Sequence, residues 1–274
     1  MIQAIQSAKN RYRYSIILLK QLVKTDFKIR YQNSILGYLW TLLRPLFLFA
    51  ILYVVFVKIL NAGKGIPHFG VYLLLGIVIW NYFVETTTGS IGAIVAKGDI
   101  MRKVSFPRYV IVLAVSLSAL INLAFNMLVV GVFMVIAKTE INATIVFLPL
   151  LIIELFIFSL SLSFLLSALY VKFRDIGFIW EVIIQGAFFA VPIMYAFTLV
   201  TSRSMLLGKI MIADPIAQLM QDARYMLITP QTQTVQSVYG TAWALLIPIA
   251  IVVFVGLISI VYFKRRAPYF AENV

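Results

Sequence analysis

Six long stretches of this chain are almost uninterruptedly apolar: residues 35–60, 70–96, 109–137, 144–171, 176–200 and 239–263. Each meets the length of about 20 residues that a hydrocarbon core demands of a spanning helix, so the pattern predicts six transmembrane helices. Two segments depart from it. Residues 14–32 mix Ile16, Leu19, Leu22, Val23, Phe27 and Tyr31 with Lys20, Lys24, Lys28 and Arg30, which suits a helix lying in the membrane interface with its basic side chains snorkelling toward headgroups; an ordinary solvated helix would leave that apolar face uncovered. Residues 201–238 are amphipathic and broken by Pro215 and Pro230. They are too polar for a seventh span, and short re-entrant or interfacial helices are expected there. The predicted class is an all-α membrane protein of one domain, 1–274, with an interfacial helix (1–34), a six-span bundle (35–263) carrying outer re-entrant helices between spans five and six, and a tail (264–274).

Composition sharpens this picture. Hydrophobic residues make up 62% of the chain and charged ones 12%, with a mean hydropathy of +1.00, which leaves little to build a soluble core. A net charge of +13 raises nucleic acid as a partner, but the basic residues stand beside the ends of apolar stretches rather than along one helix face, so membrane orientation explains them and no nucleic acid is expected. One side receives Lys9 to Arg30, Lys97, Arg102, Lys103, Arg108, Lys172, Arg174 and Lys264 to Arg266; the other receives Lys58, Lys64, Lys138, Arg203, Lys209 and Arg224. That asymmetry places both termini in the cytoplasm. With no cysteine, disulfide and thiolate metal chemistry are excluded. A cleavable signal peptide is not expected, since about 35 residues with interspersed charge precede the first apolar run.

The candidate chemistry is sparse. The turn Gly63-Lys64-Gly65 lacks the spacing of a phosphate-binding loop, and His68 has no Cys or carboxylate neighbour with which to hold a metal. Glu85 and Glu154 lie inside apolar stretches, where a carboxylate is costly. Either they line a polar or proton pathway, or they are structural acids bonded to neighbours such as Thr86, Thr87 and Thr88. Trp80, Phe83 and Thr87 recur at helical spacing, with Tyr82 and Thr86 on an adjacent face, and Phe188, Phe189 and Tyr195 cluster in the fifth stretch. Such aromatics line a route for sugar rings or serve as packing and interface anchors. Arg44 and Pro45 fit a kink and a snorkelling cation near the start of the first span. No two-halves symmetry of the kind common in secondary transporters is present.

The run RYQNSILGYLWTLLRPL, carrying Arg30, Tyr31, Gly37, Trp40 and Pro45, closely resembles the start of the first span in ABC-2 type permeases that export cell-surface polysaccharides: O-antigen, teichoic acid and capsule. Lys103 to Arg108 resembles that family's loop between spans two and three, Arg174-Asp175-Ile176 its loop between four and five, and Pro192-Ile193 its break late in span five. Asp214-Pro215 followed by Arg224 is similar to its outer re-entrant region, although Asn is commoner before that proline. The resemblance implies a permease without its own nucleotide chemistry or cofactor, not itself an enzyme, in the bacterial cytoplasmic membrane. It implies a homodimer with two copies of a separate ATPase subunit that binds ATP and Mg, and a lipid-linked polysaccharide or teichoic acid as cargo. Asp99, Arg102, Lys103, Phe106, Arg174 and Asp175 are then expected to couple to the ATPase, with Arg174-Asp175 equally readable as an intrachain ion pair. Lys28, Arg30, Tyr31, Trp40 and Arg44 are expected at the interface, and Trp80, Tyr82, Phe83, Glu85, Thr87, Phe188, Phe189 and Tyr195 along the substrate path. The alternatives are an ABC-2 drug or lipid exporter, a proton-coupled transporter using Glu85 and Glu154, and a membrane transferase; the last lacks a clustered acidic site for a metal diphosphate.

Overall fold

The computed structural model describes residues 2–30, 36–60, 63, 65–103 and 106–270, and every regular element among them is helical. In chain order these are α1 (Ile2–Arg30), α2 (Trp40–Leu52), α3 (Phe69–Ile91), α4 (Ala93–Ala96), α5 (Gly98–Lys103), α6 (Tyr109–Ala137), α7 (Leu148–Lys172), α8 (Ile176–Ala190), α9 (Thr198–Arg203), α10 (Met205–Ala213), α11 (Pro215–Leu227), α12 (Val235–Tyr239) and α13 (Leu246–Arg266). Five helical runs are long and apolar enough to cross a membrane: Gly37–Ile59, Phe69–Ile91, Tyr109–Ala137, Ala143–Lys172 and Ala242–Tyr269. Tyr31 and Val104 to Ser105 lie outside the described residues, as do the side chains of Arg30, Arg102 and Lys103.

The fifth apolar stretch forms a shorter helix than its 25-residue run suggested. Helix α8 has 15 residues, about 22 Å at 1.5 Å per residue, against about 30 Å of hydrocarbon. Pro192 causes the stop: it forces Val191 into extended backbone (φ −81°, ψ 140°), as a residue preceding proline must be. Tyr195 then folds back, its hydroxyl donating to the terminal carbonyls of Phe189 and Ala190 at 3.2 Å each, which satisfies acceptors that a helix end leaves open.

Helix α3 is the axis of the bundle, packed by α6, α7, α8, α2 and α11. Its small and hydroxyl residues allow the close approach that membrane helices need when lipid offers no hydrophobic drive. The Thr86 carbonyl accepts from Ser90 at 2.7 Å and from Ser163 of α7 at 3.1 Å. By contrast α2, α6 and α13 present outward-facing apolar side chains such as Phe47, Val135 and Phe254, as a lipid- or partner-facing surface requires.

One end of the bundle gathers the strongly basic segments. Leu22 of α1 is buried against Val110 and Ala114 of α6, while Lys20, Lys24 and Lys28 remain exposed. Ala93, Ile94 and Met101 pack with Ile111, Val171, Phe263 and Phe270. The opposite end joins the turn after α6 to the end of α11, through Glu140 N–H to Ile228 O and Asn142 N–H to Met226 O. Residues 201–238 fold there into α9 to α12, separated by Ser204, Asp214 and Thr234, each accepting a backbone N–H of the helix it precedes.

Candidate functional site: two pockets on opposite sides of α3

Helix α3 sorts its residues by face. At 100° per residue, Trp80, Phe83 and Thr87 share one side, whereas Asn81, Tyr82 and Glu85 turn to the other. The first side walls an apolar groove of about 870 Å³ that α7, α8 and the segment from Val191 through α11 close. Phe83 is its centre. Its ring stacks on Phe158 at 6.0 Å and 8°, meets Trp180 edge-on at 6.2 Å, and lies 5.7 Å from Trp80. Thr87 is buried behind this wall: its oxygen accepts from Trp180 Nε1 at 3.2 Å while its hydroxyl donates to Phe83 O at 2.8 Å, fixing the indole. Tyr195 lines the groove near Asp214 and Arg203. Phe188 braces Trp80 at 6.0 Å, and Phe189, edge-on to Phe188, is 67% exposed and points away into the surroundings.

The second side opens into a polar pocket of about 420 Å³ between α2, α3 and α6. Glu85 accepts from Asn122 Nδ2 at 2.7 Å. Asn126 Nδ2 reaches the carbonyls of Asn122 at 2.8 Å and Thr41 at 3.3 Å, tying α6 to the first span. Arg44 and Trp40 stand at the exposed rim of this pocket. The eight residues expected along one path are thus divided: Trp80, Phe83 and Tyr195 line the groove, Thr87 and Phe188 support it, Tyr82 and Glu85 line the other pocket, and Phe189 faces outward.

A buried cation holds the groove in shape. Arg224 of α11 is fully buried and donates to Pro192 O at 2.6 Å, Ile193 O at 2.9 Å, Tyr72 O at 3.2 Å and Gln221 Oε1 at 3.0 Å, with its guanidinium 3.5 Å from the Tyr72 ring centroid. It therefore clamps the break after α8 onto α3 and α11 through carbonyls and a ring face. Gly76 leaves it room: a Cβ there would come within 2.5 Å of Arg224 Nη2. Nearby, Gln218 Nε2 donates to Asp222 Oδ2 at 2.7 Å, and Glu154 of α7 lies against this pair, within reach of the Gln218 side chain. Glu85 and Glu154 consequently sit in separate places, one on α6 amides and one against α11. Burial pushes the Asp214 carboxyl up, while the N–H groups of Ala217 and Ile216 pull it back; its Oδ2 caps α11 at 3.1 Å.

At the basic end, Asp99 is exposed in the first turn of α5, and Phe106 packs against the cluster of α4, α6 and α13. Arg174 lies over the Tyr170 ring at 5.2 Å, and Asp175, also exposed, precedes α8. Burial pushes the Lys97 ammonium below the usual lysine range, and the attraction of Asp26 on α1 raises it again, so α1 and the α4–α5 segment are electrically joined. Trp180, Phe158, Asn122, Asn126 and Gly76 escaped the sequence reading. Asn122 and Asn126 carried a usable signal, two amides one turn apart in an apolar span; Trp180 and Gly76 matter only through partners on other helices.

Known proteins are similar to this chain in sequence. A protein named O-antigen export system permease protein RfbA from Klebsiella pneumoniae is 32% identical over 200 residues, covering 72% of this chain and 76% of its own length. Its namesake from Myxococcus xanthus is 29% identical over 222 residues, covering 79% and 82%. The sequence profile of the ABC-2 type transporter family matches residues 17–228, from within α1 through α11. This integral membrane chain belongs to the ABC-2 type transporter family.

Proposed function

We propose that two copies of this chain form the membrane path of an ATP-driven exporter that carries a lipid-linked cell-surface polysaccharide across the bacterial cytoplasmic membrane. The groove built on Phe83 carries the reading. Trp80, Phe83, Phe158 and Trp180 give the groove an aromatic apolar wall, the first three packed closely on one another, that meets the C–H sides of sugar rings with no fixed register, and a polymer in transit must bind well enough to enter yet weakly enough to move on. Its relatives' description as O-antigen export permeases supports a glycan. A teichoic acid is less suited, because Arg203 and Asp214 leave the groove without net positive charge for a polyanion.

The family's division of labour completes the account. ATP and Mg bind to two copies of a separate ATPase, which docks at the basic end on α1, α4 and α5, with Asp99, Arg102 and Lys103 setting register and Arg174-Asp175 flanking the site. Motion there reaches the groove through α3, whose near end adjoins α4 and whose middle holds Trp80 and Phe83. Helix α8 serves as the short fifth of six crossings, α9 to α12 as the outer re-entrant element, and both termini lie in the cytoplasm. In cells lacking this permease, surface polysaccharide should vanish and lipid-linked polymer accumulate on the cytoplasmic face. Surface polymer at the normal level, without accumulation, would refute the assignment.

A further inference from the structure

We infer that a small outer pocket, enclosed by the approach to α3, the break after α8 and the loop between α11 and α12, binds one uncharged sugar ring. The pocket measures about 160 Å³, several times what one water occupies and less than a drug-sized site, so it has room for a single ring. Its floor is held in one orientation. Gln221, 1% exposed, accepts at Oε1 from Arg224 Nη1 at 3.0 Å and from the Tyr72 hydroxyl at 3.1 Å, while its Nε2 donates to Gln233 O at 3.2 Å. Both lone pairs of that oxygen are then used, and the amide keeps one N–H. The walls add hydroxyls. Thr229, 2% exposed, accepts from the Gln231 N–H at 3.3 Å and keeps its O–H, and the Thr232 hydroxyl oxygen is buried without a partner among the described residues. A buried hydroxyl of that kind is costly until something answers it.

The chemistry selects the occupant. No charged side chain lines this pocket among the described residues, so neither a phosphate nor an ammonium finds a counter-ion there. What the walls present is a mixture of amide and hydroxyl groups beside an apolar side made by Ile66, Pro67 and Phe197. A sugar ring matches both halves: each of its hydroxyls gives and takes a hydrogen bond, and its C–H face lies on apolar surface. Placement supplies the source of the ring. Val191 and Tyr195 line the groove, whereas Ala196, Phe197 and Thr198 line the outer pocket, so the segment around Pro192 separates the two. Arg224 fixes both, through the carbonyls of Pro192 and Ile193 beside the groove and through Gln221 Oε1 at the pocket floor. A polymer leaving the groove on this side meets the pocket next.

The inference rests on the proposed glycan cargo for where the ring comes from, and its test is read on the isolated permease. The full-length protein in lipid nanodiscs is probed by saturation-transfer NMR with methyl glycosides of glucose, galactose, mannose, rhamnose and N-acetylglucosamine, and with glycerol phosphate and phosphoethanolamine as charged comparators. At least one glycoside should bind in the millimolar range, and neither comparator should. Thr232→Val combined with Gln231→Leu, the latter at an exposed position, should weaken that glycoside about tenfold or more, the scale of two neutral hydrogen bonds. Trp80→Leu combined with Phe83→Leu should leave it bound. Binding by none of the glycosides, as for a pocket that holds only water, equal binding of a charged comparator, or a signal that the groove variant loses and the pocket variant keeps would each overturn the inference. None of these outcomes bears on export, which stands or falls on surface polymer in cells.

Discussion

The groove and the polar pocket are built on the same helix from neighbouring residues, yet they differ in what holds them. The groove wall is a set of rings that fix one another by contact, with a hydrogen bond from Trp180 to Thr87 orienting the indole and the Arg224 clamp holding the frame behind it. The pocket is an amide and carboxylate lattice running from Glu85 through Asn122 and Asn126 to the first span, with Asn122 Oδ1 unpartnered among the described residues. A surface without directional bonds lets a ligand slide; a surface with unmet directional bonds holds one in place. That difference underlies the proposal that cargo moves along the first.

Perturbing the clamp should blur the comparison most. Arg224→Met removes the guanidinium's donors from the carbonyls of Tyr72, Pro192 and Ile193, and on the scale of broken buried polar pairs costs about 3–5 kcal/mol. The variant should accumulate poorly and melt much earlier in detergent, with the groove lost before the pocket. Gly76→Val should do similar damage, since its Cβ meets the guanidinium.

Replacing Trp80 and Phe83 together by Leu keeps both positions apolar while removing the rings. Export should fall about tenfold or more for a stability loss of about 1–3 kcal/mol, with assembly and nucleotide hydrolysis by the ATPase complex retained. If stability fails first and export tracks the folded fraction, the rings are core and nothing more.

A smaller effect is expected at Thr87→Val, which deletes the bond to Trp180 and costs about 1 kcal/mol. Export should drop severalfold at most, and Trp180 fluorescence should report a looser indole. The smallest concerns the basic end. Asp26→Asn removes the attraction that raises the Lys97 ammonium, so its pKa should move further down and Lys97 should react faster with amine-acylating reagents at mildly alkaline pH. Unaltered reactivity would show that α1 and the α4–α5 segment are not electrically joined.

The five long spans were legible because long apolar runs have few other uses in a chain of this composition, and the break at Pro192 was visible as a proline in the fifth run. What the run did not reveal is that the helix stops at Ala190, because hydropathy registers Val191 to Val200 as apolar whether helical or not. Helical spacing separated Trp80, Phe83 and Thr87 from Tyr82, but the division into two cavities depended on α7 and α8 packing one side of α3 and α2 and α6 the other. The eight residues expected on one path were joined by chemistry, aromatic or polar, when the fold joins them by face. Arg224 was visible as part of the outer motif; its role as a clamp required knowing that Pro192, Ile193 and Gly76 converge on it.

The central claim is that cargo runs along the Phe83 side of α3, and photocrosslinking in the working exporter tests it most directly. A photoreactive phenylalanine analogue at position 83 or, separately, at position 82 is irradiated while the permease and its ATPase move polymer in membrane vesicles. The account predicts polymer adducts at position 83 that depend on hydrolysable ATP and are absent at position 82. Adducts at 82 with none at 83 would contradict it.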